Sequence, residues 1–248
     1  MNPPNAVLTA RERARAELTR EIKDEASRQL AAVGADGLSL RAVARSLGMV
    51  SSALYRYFPS RDDLLTALII DAYNAVGSAA EEAIAIATPP AARARWAAAS
   101  RAIRAWALAN PHQYALIYGS PVPGYRAPAA TIAPASRVPL AFVRVLRDAV
   151  SVGELIASDG AWWGTVDGAA PPVEDSLAGQ AAALAAALAE ADAPDVPAEA
   201  LVRAVIAWTQ LFGMISFELF GQFVGSFEPA DAFFEHAVAQ LTVFVGLR

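Results

Sequence analysis

The 248-residue chain contains no cysteine, which excludes a disulfide framework, a thiolate metal site and a cysteine nucleophile. Histidine is almost as scarce, because His112 and His236 are the only two and they lie far apart in the sequence. The chain also has no glycine-rich phosphate-binding loop and no recognisable nucleophile with a positioned base. The sequence therefore predicts no catalytic residue, no metal site and no cofactor.

Long uninterrupted apolar runs are also missing, although the mean hydropathy is positive. The strongest run, residues 204–217, is about 14 residues long, which is short of the roughly 20 that cross a bilayer. The N-terminal stretch is too charged for a secretory signal peptide. These features predict a cytoplasmic protein that does not enter a membrane.

Charge is distributed unevenly along the chain. Residues 1–63 carry a net charge of +2, whereas the remaining residues carry −7. A mildly basic end on an acidic body orients that end toward a phosphate backbone. An ordinary solvated surface can carry the same charge, so charge alone does not separate the two interpretations.

Apolar residues recur at helical spacing along most of the chain, and no segment alternates with a period of two. We therefore predict an all-α fold with close to ten helices. Nine of them are predicted at about 9–33, 39–47, 51–57, 60–87, 91–109, 136–157, 174–191, 198–223 and 229–246. Residues 110–125 are predicted to form a short helix followed by a loop rich in proline and glycine. The predicted loop at 158–173 carries Trp162 and Trp163, which cover a pocket, fold back as a plug or meet a partner.

The most informative segment is 39–65, which reads SLRAVARSLGMVSSALYRYFPSRDDLL. Its first part predicts a short helix with one apolar stripe, and Gly48 directly after it can end that helix. The next helix is expected to bury Leu54 and Phe58 and to leave serine, tyrosine and arginine side chains for another surface. Two short helices around a tight turn, with such residues outward, form a helix-turn-helix that enters a DNA major groove.

This segment resembles the N-terminal DNA-binding domain of the tetracycline-repressor (TetR) family of bacterial transcription regulators. With the preceding helix, the resemblance covers about residues 9–65. The matching residues are Gly37, Ser39, Leu40, Val43, Ala44, Leu47, Gly48, Ala53, Leu54, Tyr55, Tyr57, Phe58, Arg61, Asp62 and Leu64. Val50 departs from the family, which usually has Ser or Thr as the cap of the recognition helix, and Ser51 is expected to take over that cap one residue later.

The resemblance implies that the helix-turn-helix contacts the DNA backbone at several positions. Ser39 lies at a helix start, where its hydroxyl and backbone N–H suit a phosphate, and Arg41 lies in that first turn. Tyr57 and Arg61 stand where the family makes backbone contacts.

Base reading is expected from the predicted recognition helix, at Ser51, Ser52, Ala53, Tyr55 and Arg56. Arg56 suits guanine, and Ala53 suits a thymine methyl group. The alternative is that Tyr55 packs against the first helix and that Arg56 is solvated. Near the N-terminus, Arg11, Arg13 and Arg15 form a basic stretch. This stretch either forms an arm near the minor groove or is disordered, and we prefer disorder.

The rest of the chain resembles the C-terminal domain of one TetR branch, whose penultimate helix carries a Trp-His-Gly-like signature. Residues 208–213 and 217–219 match that frame, with Phe212 at the position of the branch's histidine, and residues 110–125 match a second segment. The resemblance implies a dimerising, ligand-sensing body at 64–248 behind a DNA-binding domain at 1–63.

A ligand pocket in this body is expected to be mostly apolar, with a few hydrogen-bonding groups from tyrosine and tryptophan. The candidate lining residues are Trp106, Tyr114, Tyr118, Phe142, Leu146, Trp208 and Phe212. The alternative is that each of these residues belongs to the hydrophobic core, because apolar residues at helical spacing are core residues more often than ligand contacts. Glu218, among apolar residues, is expected to pair with an arginine rather than with a ligand.

The last two predicted helices are the candidates for a homodimer contact. The first has one bulky stripe, made of Leu201, Val205, Trp208, Phe212, Ile215 and Leu219. A neighbouring stripe of Thr209, Gly213 and Ser216 is small and allows close approach. Two such helices and their symmetry copies form a four-helix interface, and a monomer that buries them internally is the alternative.

Together these features predict a homodimeric TetR-like repressor that reads a near-palindromic double-stranded operator and is released by a small apolar or aromatic effector. Two other classes stay open. One is an enzyme or carrier with a vestigial helix-turn-helix, which turnover of a bound small molecule would indicate. The other is a helical adaptor, which a stable protein partner and a lack of DNA affinity would indicate.

Overall fold

The computed structural model describes residues 9–156, 176–190 and 196–248. Ten α-helices lie in these ranges: α1 Ala10–Val33, α2 Leu40–Ser46, α3 Ser51–Leu54, α4 Arg61–Ile86, α5 Ala92–Ala109, α6 Pro111–Tyr118, α7 Ile132–Val152, α8 Leu177–Glu190, α9 Ala198–Leu219 and α10 Asp231–Val245. Within the same ranges, β-type pairing is limited to an isolated bridge between Leu155 and Leu247. The all-helical prediction is confirmed, whereas Trp162 and Trp163 lie outside the described residues.

Three helices begin at the hydroxyl residues that the sequence predicts as caps. Thr9 and Glu12 form a capping box, in which the Glu12 backbone N–H donates to the Thr9 hydroxyl at 3.2 Å. Ser39 accepts from the Ala42 backbone N–H at 3.5 Å, and Ser60 accepts from the Asp63 backbone N–H at 3.1 Å. Each hydroxyl satisfies a backbone donor that the first turn leaves without a partner.

The basic stretch before residue 16 is helical, so the preference for disorder at Arg11, Arg13 and Arg15 is wrong. All three lie in the first two turns of α1, which begins at Ala10. The capping box closes this end of the helix, and its spacing was visible in the sequence.

The start of the recognition helix also differs from the prediction. Ser51 is the first helical residue rather than the cap, and Val50 occupies the cap position with extended backbone angles and no side-chain hydrogen bond. Regular helix ends at Leu54, and residues 55–57 continue as turns. A valine has no oxygen to offer, so the first backbone N–H groups of α3 have no capping side chain.

The first compact unit comprises Met1–Tyr73 and Asn110–Pro134. Its core buries α1, α2, α3 and the start of α4 around Ile22, Val43, Leu54 and Leu64. The segment after α5 joins this core through Leu116, Val122 and Tyr125. The first compact unit therefore includes residues beyond position 63. The functional boundary between a DNA-binding domain at 1–63 and a body at 64–248 stays a prediction.

The second compact unit comprises Asn74–Ala109 and Ala135–Arg248. In its core, the Trp96 ring on α5 packs against Phe142 on α7 with 4.3 Å between ring centroids. The predicted arginine partner of Glu218 is Arg104, which donates to both carboxylate oxygens at 2.7 and 2.6 Å. This confirmed pair joins α5 to α9.

Two helices are long and apolar enough to cross a bilayer by length and composition, Ala129–Val152 and Ala198–Leu219. The apolar run at 204–217 lies within the second of these helices, which extends beyond the run at both ends. Core helices of soluble proteins pass the same test, and both α7 and α9 bury a face in the second unit. Val145 and Leu146 on α7, and Leu211 and Ile215 on α9, are nearly inaccessible to solvent.

Candidate DNA-binding surface and ligand cavity

The turn between α2 and α3 depends on Gly48. Its φ of +66° lies in the left-handed region that other residues rarely adopt. The Met49 backbone N–H then donates to the Ala44 carbonyl at 2.8 Å, which closes the end of α2. The predicted break at Gly48 is confirmed, and it sets α3 at an angle to α2 as in a helix-turn-helix.

The residues predicted to read bases divide by exposure along α3 and the turns after it. Leu54 is completely buried and holds the helix on the core, whereas Ser52, Tyr55 and Arg56 are exposed. The side chains of Ser51 and Ala53 are half-buried. An exposed face with hydroxyl, phenol and guanidinium groups supplies both donors and acceptors to base edges.

An arginine cleft lies between α1 and this recognition surface. Arg11, Arg15 and Arg56 line it, and the Arg15 guanidinium lies 5.3 Å from the centroid of the Tyr57 ring. A cation over an aromatic face is attracted to it, so Tyr57 holds Arg15 toward α3. We call these three residues the arginine cleft. The sequence interpretation missed Arg11 and Arg15 because it preferred disorder for them.

The residues predicted for the phosphate backbone have different surroundings. The Ser39 hydroxyl caps α2, and Arg41 in the first turn of that helix is exposed. Arg41 and Arg56 form no ion pair within the described ranges. Arg61 instead donates from Nη2 to the Ala35 carbonyl at 2.7 Å, which ties the start of α4 to the turn after α1.

The second unit contains a cavity of about 220 Å³ between α7, α8 and α9. The described residues that line it are almost entirely apolar, and none of them is charged. The main contributors are Pro139, Leu140, Phe142, Leu184, Leu201 and Trp208, and Ser136 adds a hydroxyl. Of the seven predicted ligand residues, Phe142 and Trp208 line this cavity.

The other predicted ligand residues lie elsewhere. Leu146 is fully buried in the core, and Phe212 packs beside Trp208 with 5.7 Å between ring centroids. Trp106 is half-buried on α5. The sequence pattern did not distinguish these core positions from cavity walls, because both are apolar and helically spaced.

Tyr114 and Tyr118 belong to the first unit, where they form an aromatic cluster with Tyr73. The Tyr118 ring centroid lies 5.2 Å from Tyr114 and 5.9 Å from Tyr73. Burial is the main cause that raises the pKa of the Tyr118 hydroxyl above its ordinary value. Tyr73 donates its hydroxyl to the Ile117 carbonyl at 3.3 Å. Sequence reasoning missed Tyr73.

The indole N–H of Trp208 is buried and has no hydrogen-bond acceptor among the residues that the structure describes. A buried donor without a partner costs about 1–3 kcal/mol, and most buried polar groups in folded proteins are paired. Trp208 also lines the cavity, but its N–H is inaccessible to solvent and is therefore enclosed by protein rather than open to the cavity.

A capped helix-turn-helix with an exposed recognition face, followed by a helical unit, defines the class of DNA-binding transcription regulators. Sequence comparison agrees with the geometry. Residues 22–68 match the family described as bacterial regulatory proteins, tetR family, and residues 96–241 match the tetracyclin repressor-like C-terminal domain. The chain belongs to the TetR family.

Known relatives are similar over most of the chain. The HTH-type transcriptional regulator Rv1816 of Mycobacterium tuberculosis is 37% identical over 211 residues, which is 85% of this chain and 84% of that protein. The crystal structure of the regulatory protein SCO4313 is 38% identical, with a TM-score of 0.68 over 94% of this chain and 98% of that one. PfmR, a TetR family regulator from Thermus thermophilus, shares the fold at 18% identity, with a TM-score of 0.53 over 90% of this chain and 96% of PfmR.

Proposed function

We propose that this TetR family regulator is a cytoplasmic repressor that binds a near-palindromic operator as a homodimer and leaves it when a small apolar molecule binds the body. The observation that carries the proposal is the exposed recognition face of α3 beside the arginine cleft. Two copies of this surface fit two half-sites in successive major grooves. In this proposal residues 1–63 read DNA, and residues 64–248 bind the effector and dimerise.

The proposed DNA contacts divide into two kinds. Arg11, Arg15 and Arg41 neutralise phosphates, a contribution that weakens as salt rises, and the Ser39 and Tyr57 hydroxyls hydrogen-bond to phosphate oxygens. Base edges are read by Ser52, Tyr55 and Arg56 on the exposed face, with Ser51 and Ala53 closer to the core. Arg61 contributes to DNA binding chiefly by holding the start of α4, because it donates to the Ala35 carbonyl.

The test measures, by fluorescence anisotropy, how the protein binds the DNA that flanks its own gene. The measurement is repeated over a series of salt concentrations, with random DNA as the control. We expect sequence-selective binding that Arg41→Ala combined with Tyr57→Ala weakens at least about tenfold, with a shallower salt dependence. Arg93→Ala, an exposed arginine of the second unit, removes the same charge and serves as the matched control. Unchanged operator affinity in the double variant contradicts the assigned surface.

The exposed face of α9 supports the proposed dimer contact. Of the predicted bulky stripe, Leu201, Phe212 and Ile215 are buried within the second unit, whereas Val205 stays exposed. The outward stripe is Val205, Thr209, Gly213 and Phe217, one residue per helical turn. An added Cβ at Gly213 meets open space, so the backbone is accessible to a second helix.

Gly213→Arg tests this interface, because a long charged side chain prevents two α9 helices from approaching. We expect the mass in sedimentation equilibrium to fall from dimer to monomer, with the circular dichroism of the helices unchanged. Ala105→Arg, at an exposed position of α5, places the same side chain outside the proposed interface. If the Gly213→Arg variant is still a dimer, the exposed face of α9 is not the dimer interface.

Arg137 offers a route from the cavity to the DNA-binding helices. It lies on α7 between the cavity residues Ser136 and Pro139 and donates from Nη2 to the Glu81 carboxylate at 2.6 Å. Its Nη1 donates to the Asn74 carbonyl at 2.9 Å, and Asn74 directly follows the part of α4 that belongs to the first unit. A ligand that displaces α7 therefore pulls on α4.

An effector found by its release of operator DNA tests this route. We expect Arg137→Gln to keep both operator and effector affinity while reducing the factor by which one changes the other. Arg144→Gln, exposed on the same helix, is the control. If the effector changes operator affinity by the same factor in Arg137→Gln as in the wild type, the coupling does not pass through Arg137.

A further inference from the structure

The ring of Tyr57 is fixed by its own backbone and by the core of the first unit. Its backbone N–H donates to the carbonyl of Leu54 at 2.8 Å, and Leu54 is completely buried. The half-buried Tyr57 side chain packs against the core, as do the side chains of Leu18 and Met49, which also line the cleft. Tyr57 therefore presents a firmly held aromatic face at the wall of the arginine cleft.

Arg15 needs such a face to stay in the cleft. An exposed arginine side chain adopts many rotamers in solvent, and the guanidinium groups of Arg11 and Arg56 in the same cleft repel that of Arg15. The Arg15 guanidinium lies 5.3 Å from the centroid of the Tyr57 ring. At an exposed site, the attraction between a cation and an aromatic face changes the population of the held position by a factor of about two to five.

From these observations we infer that Tyr57 is a positioning residue for DNA binding, whose ring holds the Arg15 guanidinium in the arginine cleft, where it neutralises a phosphate of the DNA backbone. Because Tyr57 directly follows Arg56 in the chain, this phosphate contact is kept in register with the segment that reads base edges. The inference rests on the proposed DNA contacts and deepens them, since it gives the ring of Tyr57 a role separate from that of its hydroxyl.

A double-mutant cycle measures whether Tyr57 acts through Arg15. The probe is a short DNA duplex of random sequence, because phosphate contacts do not depend on sequence, and binding is measured by fluorescence anisotropy at low salt. Arg15→Ala should weaken binding, and the factor should be about two to five times smaller when Tyr57→Leu is also present. Tyr57→Phe keeps the ring, so Arg15→Ala should have its full effect there. Tyr55→Leu removes a tyrosine that does not line the cleft, and it should leave the Arg15→Ala factor unchanged.

The salt dependence provides a second readout, which a loss of packing alone would not change. Each neutralised phosphate contributes about 0.9 to the slope of the logarithm of the binding constant against the logarithm of salt concentration. Tyr57→Leu removes no charge, yet it should make this slope shallower by up to about 0.9, with no further change when Arg15→Ala is added. Tyr57→Met, a second variant without a ring, should do the same. Tyr57→Phe should keep the wild-type slope, because the lost hydroxyl is uncharged.

The inference is overturned if Arg15→Ala costs the same factor with and without the ring, if both ringless variants keep the wild-type slope, or if Tyr57→Phe behaves like Tyr57→Leu. The operator assay decides the proposed function separately. Selective operator binding without coupling between Arg15 and Tyr57 leaves the repressor and removes the positioning role. Coupling on random DNA without selective binding to the flanking DNA does the reverse, and a protein that binds no DNA contradicts both.

Discussion

Arg104 on α5 and Glu218 on α9 are joined by two hydrogen bonds, from Nε to Oε2 at 2.7 Å and from Nη2 to Oε1 at 2.6 Å. The same arginine donates from Nη1 to Asp231 at 2.9 Å and lies over the Phe234 ring of α10. Its side chain is 12% exposed and that of Glu218 is 17% exposed. One guanidinium therefore holds three helices of the second unit together.

Removing the carboxylate of this pair should destabilise the protein strongly. Glu218→Ala leaves most of a buried charge uncompensated, and we expect the free energy of unfolding in urea to fall by about 3 kcal/mol. Arg101 and Glu235 form a similar pair between α5 and α10, in which Arg101 makes three hydrogen bonds to the two carboxylate oxygens, but their side chains are 54% and 46% exposed. Glu235→Ala is the matched control, with an expected loss below about 1 kcal/mol. Equal losses in the two variants contradict the importance of burial.

Gly77 on α4 should tolerate no larger residue, because Arg137 lies against it. An added Cβ comes within 2.8 Å of the Arg137 Cβ. Alanine favours a helix by about 1 kcal/mol over glycine, but we expect overpacking to dominate and Gly77→Ala to lose about 1–3 kcal/mol in urea unfolding. A gain in Gly77→Ala contradicts this close contact.

The absent cap of the recognition helix can be restored. Val50 has φ −71° and ψ 138°, which suit a capping residue, and its side chain is 70% exposed. Val50→Ser should stabilise the protein by about 1 kcal/mol, because the hydroxyl accepts a backbone N–H in the first turn of α3. Val152→Ser, at the other end of a helix and 68% exposed, should give no gain in the same thermal unfolding experiment. The proposed cap is absent if the two substitutions act alike.

The ion pair between Glu81 and Arg137 predicts a pH dependence of stability. Hydrogen bonds from the Arg137 guanidinium are the largest cause that holds the pKa of Glu81 below its ordinary value of 4.5. A carboxyl with a lowered pKa in the folded state stabilises the protein fully above its unfolded pKa, and this contribution is lost as the pH falls through the folded pKa. Glu81→Gln should thus cost about 1 kcal/mol at neutral pH, and the difference from wild type should shrink below about pH 4.5.

Urea unfolding at several pH values between about 7 and 3.5 measures this difference. The exposed neighbour Glu82 forms no ion pair within the described ranges, so Glu82→Gln is the control at the same net charge. A difference between wild type and Glu81→Gln that grows as the pH falls contradicts the sign of the shift.

Local patterns predicted the DNA-binding end more fully than the body. Thr9, Ser39 and Ser60 cap helices through contacts within three residues along the chain, and Gly48 breaks a helix by its own backbone freedom. Such short-range interactions leave a direct record in sequence. The prediction that Ser51 caps the recognition helix was wrong because it relied on the position of a hydroxyl alone. The sequence does not show that Val50, rather than Ser51, has the extended backbone angles of a cap.

The candidate cavity required contacts between distant parts of the chain. Leu146 and Phe142 are both apolar residues of α7, yet Phe142 lines the cavity and Leu146 is enclosed in the core. The periodicity of a helix indicates that it has an apolar face, but it does not identify the helix that covers each part of that face. Tyr73 and the two other tyrosines of its cluster come together for the same reason, across α4 and α6.

The sequence by itself determined the all-α class, the helix-turn-helix, the helix caps at Thr9, Ser39 and Ser60, and the family to which the chain belongs. These properties depend on hydrophobic period, capping residues and a turn glycine, all of which act over a few neighbouring residues. Only the tertiary structure decided that Arg15 meets Tyr57, that Arg104 is the partner of Glu218 and that the buried Trp208 N–H has no acceptor among the described residues. Each of these depends on how helices far apart in sequence pack, and the packing is set by the whole core rather than by any one segment.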